Sequence, residues 1–485
     1  MKKSTFALMV GAVAIGAAPV SRAQQLPPIR QLGPVTHVSA EPLGAVTTVR
    51  HLPGGRVLVN DIIGRRVVMF DSSLATSTVI ADTTSATANA YGVRPGGLIA
   101  YRADSTLFVD PASLSMLLID PNGKIARVMS APRANDVGFL VGGPFGSPAF
   151  DRQGRLIYRA PPRLDFGRRG GSGNRGPEIP SPPDSAALVR FDLATRKLDT
   201  VTFFKTPKIS LAISQDRDGG MRVQSTINPL PQGDDWAVLN DGTIALVRGR
   251  DYHVDWLGPD GTFTPSPKIP FQWERLTDEA KVAFVDSART AIEKARASGQ
   301  FNFGGGMAGA FGLGGGVGRA GAEGGRRGEG RRGAGGDSSS AAATPPPAGT
   351  ATPAAGSAAA AGATPQPGTM TVTTGGNTTV TAVGPGGAGI SLGPINMVSP
   401  SELPDYKPAF TPGSTRADAD GNLWVRTSQN VDGRPVYNVI DRKGVLVDRV
   451  QLPQNRVLVG FGPGGVVYLG VRDGTTAHLE VARVR

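Results

Sequence analysis

The chain has 485 residues, of which 67 are Gly and 40 are Pro; 19% of the residues are charged and none is Cys. Without cysteine there is no disulfide scaffold, thiolate zinc site, iron–sulfur cluster, c-type haem attachment or cysteine nucleophile. The formal net charge is +12, but arginine dominates the basic residues, and they are neither striped along one helix nor interleaved with aromatics. A generically basic, solvated surface is therefore expected, with no specific nucleic-acid partner.

Met1 to Ala23 reads as a secretory signal peptide. Lys2 and Lys3 begin it, Phe6 to Val20 is apolar or small throughout, and Ser21-Arg22-Ala23 offers small residues at the cleavage positions. The apolar run is shorter than a spanning helix needs. No Cys follows it to carry a lipid. The mature chain is expected in the periplasm or outside the cell, with no transmembrane segment after cleavage and as a monomer. Val35 to Ala40 then forms an isolated strand-like segment.

From there a pattern returns six times: a turn with Gly or Asp, an alternating apolar strand, a polar gap and a second strand. The turns centre on Gly55, Ser105, Gly154, Gly242, Gly421 and Gly465. A period of about 40–50 residues with several short strands per unit is what propeller blades produce. The sixth unit stops one strand short near His478 to Val484, so Val35 to Ala40 is expected to supply the missing outer strand and close the ring. Two insertions break the rhythm. Leu164 to Asp184 is a Gly/Arg/Pro-rich loop. After the fourth unit, Thr277 caps a helix running from about 276 to 297, with Leu276, Ala280, Phe284, Ala288 and Ile292 on one face. Residues 303–395 are rich in Gly, Ala, Thr and Pro and are expected to be disordered. The organisation is therefore a signal peptide (1–23), blades 1–4 (24–302), the low-complexity insertion (303–395) and blades 5–6 (396–485). The fold class is all-β, a six-bladed propeller.

The units Leu52-Pro53-Gly54-Gly55-Arg56-Val57-Leu58-Val59-Asn60-Asp61 and Asp420-Gly421-Asn422-Leu423-Trp424-Val425 resemble blades of the TolB-like, NHL-repeat and SMP-30/gluconolactonase propellers. That architecture hosts hydrolases, lyases and pure binding proteins, so the resemblance specifies shape more than activity.

Several motifs could carry chemistry. Gly304 to Gly309 matches a dinucleotide-binding glycine pattern but lies in a glycine tract without flanking strand and helix. The Arg/Gly run Arg326 to Arg332 reads as a solvated tether. Asp418 to Asn422 has the start of a calcium loop but lacks its terminal Glu, and reads as a turn. The four histidines, His37, His51, His253 and His478, have no metal-ligand spacing. In related propellers the position five residues past each turn opens at one mouth of the channel. Here those positions are Asn60, Asp110, Arg159, Val247, Arg426 and Gly470, with Asp61, Arg248 and Arg250 as neighbours. The expected rim is acidic on blades 1 and 2 and basic on blades 3 to 5, suited to a zwitterionic or carboxylated ligand.

Two functions follow. The first is an exported binding or scaffold propeller, without a cofactor, that engages an envelope protein, peptide or glycan at the channel mouth. The alternative, implied by the SMP-30 resemblance, is a hydrolase or lactonase dependent on a divalent cation, for which Glu41, Asn60 and Asp110 are conceivable ligands.

Overall fold

The computed structural model describes residues 26–84, 89–92, 94–161, 183–208, 210–215, 221–297 and 396–484, together with strands at 370–373, 379–383 and 389–392. Each repeat unit becomes one antiparallel sheet of four strands. Blade 1 is built from Val46–His51, Val57–Asp61, Arg66–Phe70 and Ser77–Asp82; blade 2 from Gly97–Ala100, Thr106–Asp110, Ser115–Ile119 and Ile125–Ser130. Blade 3 comprises Ala149–Phe150, Leu156–Arg159, Ser185–Phe191 and Leu198–Lys205, and blade 4 Asp235–Val238, Ile244–Arg248, His253–Leu257 and Phe263–Pro265. Blade 5 comprises Phe410–Ala417, Leu423–Val431, Arg434–Ile440 and Leu446–Gln451. Blade 6 has Arg456–Gly462, Val466–Asp473 and Thr476–Arg483, and its outermost strand is His37–Val38.

Alternation along each strand assigns side chains to opposite faces, so one strand feeds two interfaces. Val57 and Val59 enter a cluster with Tyr468 and Leu479 of blade 6, whereas Leu58 between them packs towards Phe108 and Leu117 of blade 2. Corresponding clusters fill the junctions of blades 2 and 3, 3 and 4, 4 and 5, and 5 and 6. Six junctions for six blades make a closed ring.

The N-terminal segment seals the ring, as the missing sixth-blade strand implies. His37 and Val38 pair antiparallel with Val481 and Glu480. The amides of Gly33, Thr36, Ser39 and Leu43 donate to carbonyls of Arg483, Val481, Leu479 and Ala477, each at 2.8 Å. A further strand, Ile29–Gln31, runs parallel to Leu446–Gln451 as a fifth strand on blade 5. The repeat pattern gives no sign of it, because it adds to a blade that is already complete.

The turns follow the expected chemistry with one exception. Gly154, Gly242 and Gly421 adopt positive φ, but blade 2 places Ala103 (φ 50°) and Asp104 (φ 56°) in the left-handed region. A side chain there costs about 1–2 kcal/mol per residue.

The helix spans Asp278–Ala297, with Asp278 and Glu279 in its first turn. The Ala280 amide donates to Thr277 Oγ1 at 3.2 Å. Val285 of its apolar face packs on Leu230 and Leu403, in a cluster joined by Leu276 just ahead of the helix. Outside the ring, the hairpin Ser210–Gln215/Met221–Ile227 pairs in parallel with Gly389–Leu392. This strand and those at Met370–Thr373 and Thr379–Val383 fall in the stretch expected to lack structure. The rest of that stretch, most of Leu164 to Asp184 and the signal segment lie outside the described residues.

Candidate functional site

Strand alternation decides which end of the ring carries the site. Successive strands in a blade are antiparallel, so second-to-third connections and blade-to-blade connections emerge at the same end. The long connections 131–148, 160–184, 206–234 and 266–409 leave and rejoin the ring at that end, whereas the turns at the opposite end are short. Asn60, Asp61, Asp110, Arg159 and Arg248 terminate second strands there, Arg250 follows in the turn, and Arg426 lies within the second strand of blade 5. Long excursions on a rigid scaffold are where binding groups concentrate.

On blades 1 and 2 the acidic half of the expected rim is not presented. Asp61 is 0% exposed, and its carboxylate accepts the amides of Gly44 (3.0 Å), Ala45 (2.9 Å) and Gly64 (2.9 Å) and Nε of Arg66 at 3.2 Å. Asp110, 2% exposed, accepts the amides of Gly92 and Ala112, each at 3.0 Å, and the Ser113 hydroxyl. Asn60, 1% exposed, donates to the Gly96 carbonyl at 2.8 Å. Asp61 and Asp110 each hold the connection entering their own blade, and Asn60 holds the one that leaves blade 1 for blade 2. Glu41 is bonded to Arg66 and Ser77, and the Ser77 hydroxyl chiefly holds its carboxyl below the usual range. Of the conceivable metal ligands, Glu41 and Asp110 are therefore already occupied and do not fit a divalent cation, whereas Asn60 is engaged, among the described residues, only through its amide nitrogen. Among the described residues no group of three His, Asp or Glu side chains could hold a metal ion.

The basic half differs from blade to blade. Arg248 is neutralised by Asp234 at 2.7 Å and Asp255 at 2.6 Å. Arg250 is exposed, and Arg426 is half-buried. Arg159 has no hydrogen bond or ion pair among the described residues, and its buried Nε has no acceptor. Its guanidinium lies over three rings: Phe145 at 5.2 Å, Phe204 at 5.8 Å and Phe139 at 5.9 Å from the centroids. Asp235 of blade 4 is 2% exposed. Its oxygens accept the amides of Trp236 (2.9 Å) and Thr415 (2.8 Å), and burial pushes its carboxyl above the usual range. Burial likewise lowers the Arg159 pKa, against the opposing charge of Asp235.

Sequence reasoning finds Arg159 and misses what surrounds it. Phe139 and Phe145 come from the connection before blade 3, Phe204 from its outer strand, and Asp235 and Trp236 from the inner strand of blade 4. No local spacing links them. The only sequence hint is the paired Asp234-Asp235 ahead of a strand, where neither residue serves a tight turn.

The other motifs resolve into structure. Asp418 accepts the amides of Asp420 (3.0 Å) and Asn422 (2.7 Å) and Nε1 of Trp424 at 3.0 Å, closing a turn. His253 sits between Asp251 and Asp255, at 2.7 and 3.2 Å. Nδ1 of His478 is 3.0 Å from the Ser39 carbonyl, and Nδ1 of His51 is 2.7 Å from the Tyr468 hydroxyl. The glycine pattern at 304–309 and the Arg/Gly run at 326–332 lie outside the described residues. No helix among the described residues is long and apolar enough to cross a membrane.

The fold and its mouth define a closed six-bladed β-propeller with one elaborated end. No family model matches the chain, and no curated protein matches it. Solved structures give weak likenesses over nearly the whole length. Regucalcin from Agrobacterium tumefaciens, a calcium-binding protein, is 9% identical over 94% of this chain and 98% of that one, with a TM-score of 0.35. A luciferin-regenerating enzyme is 10% identical over 92% of each chain, TM-score 0.33. The PQQ-bound aldose sugar dehydrogenase of Streptomyces coelicolor is 11% identical over 94% and 99%, TM-score 0.34. The blade count rests on this chain's own strand order and its six interfaces, not on these likenesses.

Proposed function

We propose that the protein is an exported binding propeller that holds a carboxylate-bearing ligand, such as a peptide or acidic glycan of the cell envelope, at the elaborated mouth. The observation that carries the reading is Arg159. A guanidinium presents five N–H donors in one plane, and here none has an acceptor among the described residues. Aromatic faces attract the positive charge but do not satisfy in-plane donors, and leaving such donors unpaired near the interior is costly. A carboxylate would take two of them side by side. Export rests on the sequence of residues 1–23.

The metal-dependent hydrolase is the weaker reading, because its two candidate carboxylates are committed, Asp110 to backbone amides and Ser113, and Glu41 to Arg66 and Ser77. The test is a calorimetric titration with N-acetyl-phenylalanine and with its amide. The free acid is expected to bind at least tenfold more tightly than the amide, and Arg159→Met, which keeps the stem, should erase that difference. Equal binding of acid and amide by the unaltered protein overturns the proposal.

A further inference from the structure

We infer that the carboxylate this mouth receives is borne on a flat, apolar body, an aromatic acid rather than an aliphatic or sugar acid; the inference rests on the carboxylate reading of Arg159. The connection 131–148 is pinned near its start: Val137 and Leu140 are buried in the cluster between blades 2 and 3. Asp136 accepts Nε of Arg133 at 2.7 Å and the hydroxyl of Tyr158, the residue next to Arg159. The chain turns twice, at Ala134–Phe139, which carries this anchor, and at Gly143–Phe145, which reaches across to the inner strand of blade 5. Phe139 and Phe145 thereby stack at 4.6 Å with a 37° tilt, both half-buried beside the guanidinium.

Gly146 fixes the far side. It has φ +94°, and a Cβ there would lie 2.5 Å from the Trp236 indole, so only glycine lets the connection close onto that ring. Trp236 is 1% exposed, and its Nε1 has no hydrogen-bond partner. Two unpaired donors, Arg159 Nε and Trp236 Nε1, therefore border the same segment, Phe145–Gly146. A carboxylate paired end-on with the two terminal nitrogens of Arg159 lies in the guanidinium plane, and its substituent leaves along that plane. The rings of Phe145, Phe204 and Phe139, 5.2, 5.8 and 5.9 Å from the guanidinium carbon, put aromatic surface beside that exit. A flat apolar group there gains ring contact, whereas a hydroxylated one forfeits its hydration.

The experiment compares N-acetyl-phenylalanine with N-acetyl-alanine by calorimetry on the full chain. The aromatic acid is expected to bind roughly tenfold or more tightly, the scale of one well-packed ring contact. Phe145→Leu should cut that preference to about twofold. Phe204→Leu serves as the second variant should Phe145→Leu fail to fold, with melting curves checking both. If both acids bind equally and each beats its amide, the aromatic inference is overturned and the carboxylate reading stands. If no acid beats its amide, the carboxylate reading itself has failed.

Discussion

Replacing Asp61 with Ala separates a carboxylate that serves the fold from one that serves a ligand. Asp61 is fully buried and accepts the amides of Gly44, Ala45 and Gly64 and Nε of Arg66. Its removal strands the Ala45 amide in a buried position, at a cost of about 1–3 kcal/mol. The Gly44 and Gly64 amides lie nearer the surface and can recover water, so each contributes roughly 0.5–1.5 kcal/mol. Arg66 keeps Glu41 as a partner and adds little. The sum is about 2–6 kcal/mol. At about 2–4 °C per kcal/mol for a large domain, the melting temperature should fall by roughly 4–24 °C. Urea denaturation followed by tryptophan fluorescence measures the free energy, and calorimetry the temperature. A loss below about 1 kcal/mol, accompanied by lost ligand binding, would refute the assignment of Asp61 to the scaffold.

Removing residues 24–40 takes away the outer strand of blade 6 and the added strand of blade 5, with the Gly33, Thr36 and Ser39 amide bonds. Stability should fall by about 3–5 kcal/mol at about 1 kcal/mol per net bond, and the uncovered strand edge should aggregate with rising concentration; unchanged light scattering and melting would contradict the closure. Burial, followed by the charge of Arg50, lowers the His51 pKa, while burial pushes the Tyr468 phenol up to about 12. The unfolded chain, titrating near pH 6.5, then binds a proton that folded His51 rejects. Stability is full above that pH and declines as pH falls through it. His51→Gln should flatten this part of the stability profile, and an identical slope in both proteins would argue against it. Ala103→Gly should stabilise the protein by about 0.5–1 kcal/mol, since relief of the left-handed strain exceeds the added entropy of glycine; urea midpoints report it. Dialysis against EDTA should leave the melting temperature within about 1 °C, and a drop of several degrees would favour the cation-dependent alternative.

The blades were legible because short alternating strands and their turn residues are local signals repeated six times. Ring closure was legible for a related reason: a sixth unit lacking one strand and an unclaimed N-terminal segment complement each other. Asp61 and Asp110 were legible as positions but not as roles. Whether a carboxylate at a strand end faces outward depends on which amides arrive beside it. Those of Gly44 and Gly92 arrive on the preceding connection, 17 and 18 residues away in sequence. The setting of Arg159 was hidden for the same reason on a larger scale. Its rings come from a connection that crosses the mouth and from an outer strand, brought together only when blades 3 and 4 pack.

The most direct measurement concerns the terminal nitrogens on which the functional reading depends. In a 15N–1H spectrum of the protein, the Arg159 Nη–H signals, assigned by their loss in Arg159→Met, should move well downfield on saturation with N-acetyl-phenylalanine as those protons acquire an acceptor. The amide of the same compound should leave them in place. A signal that stays put when the acid binds, or that moves equally with acid and amide, contradicts the account.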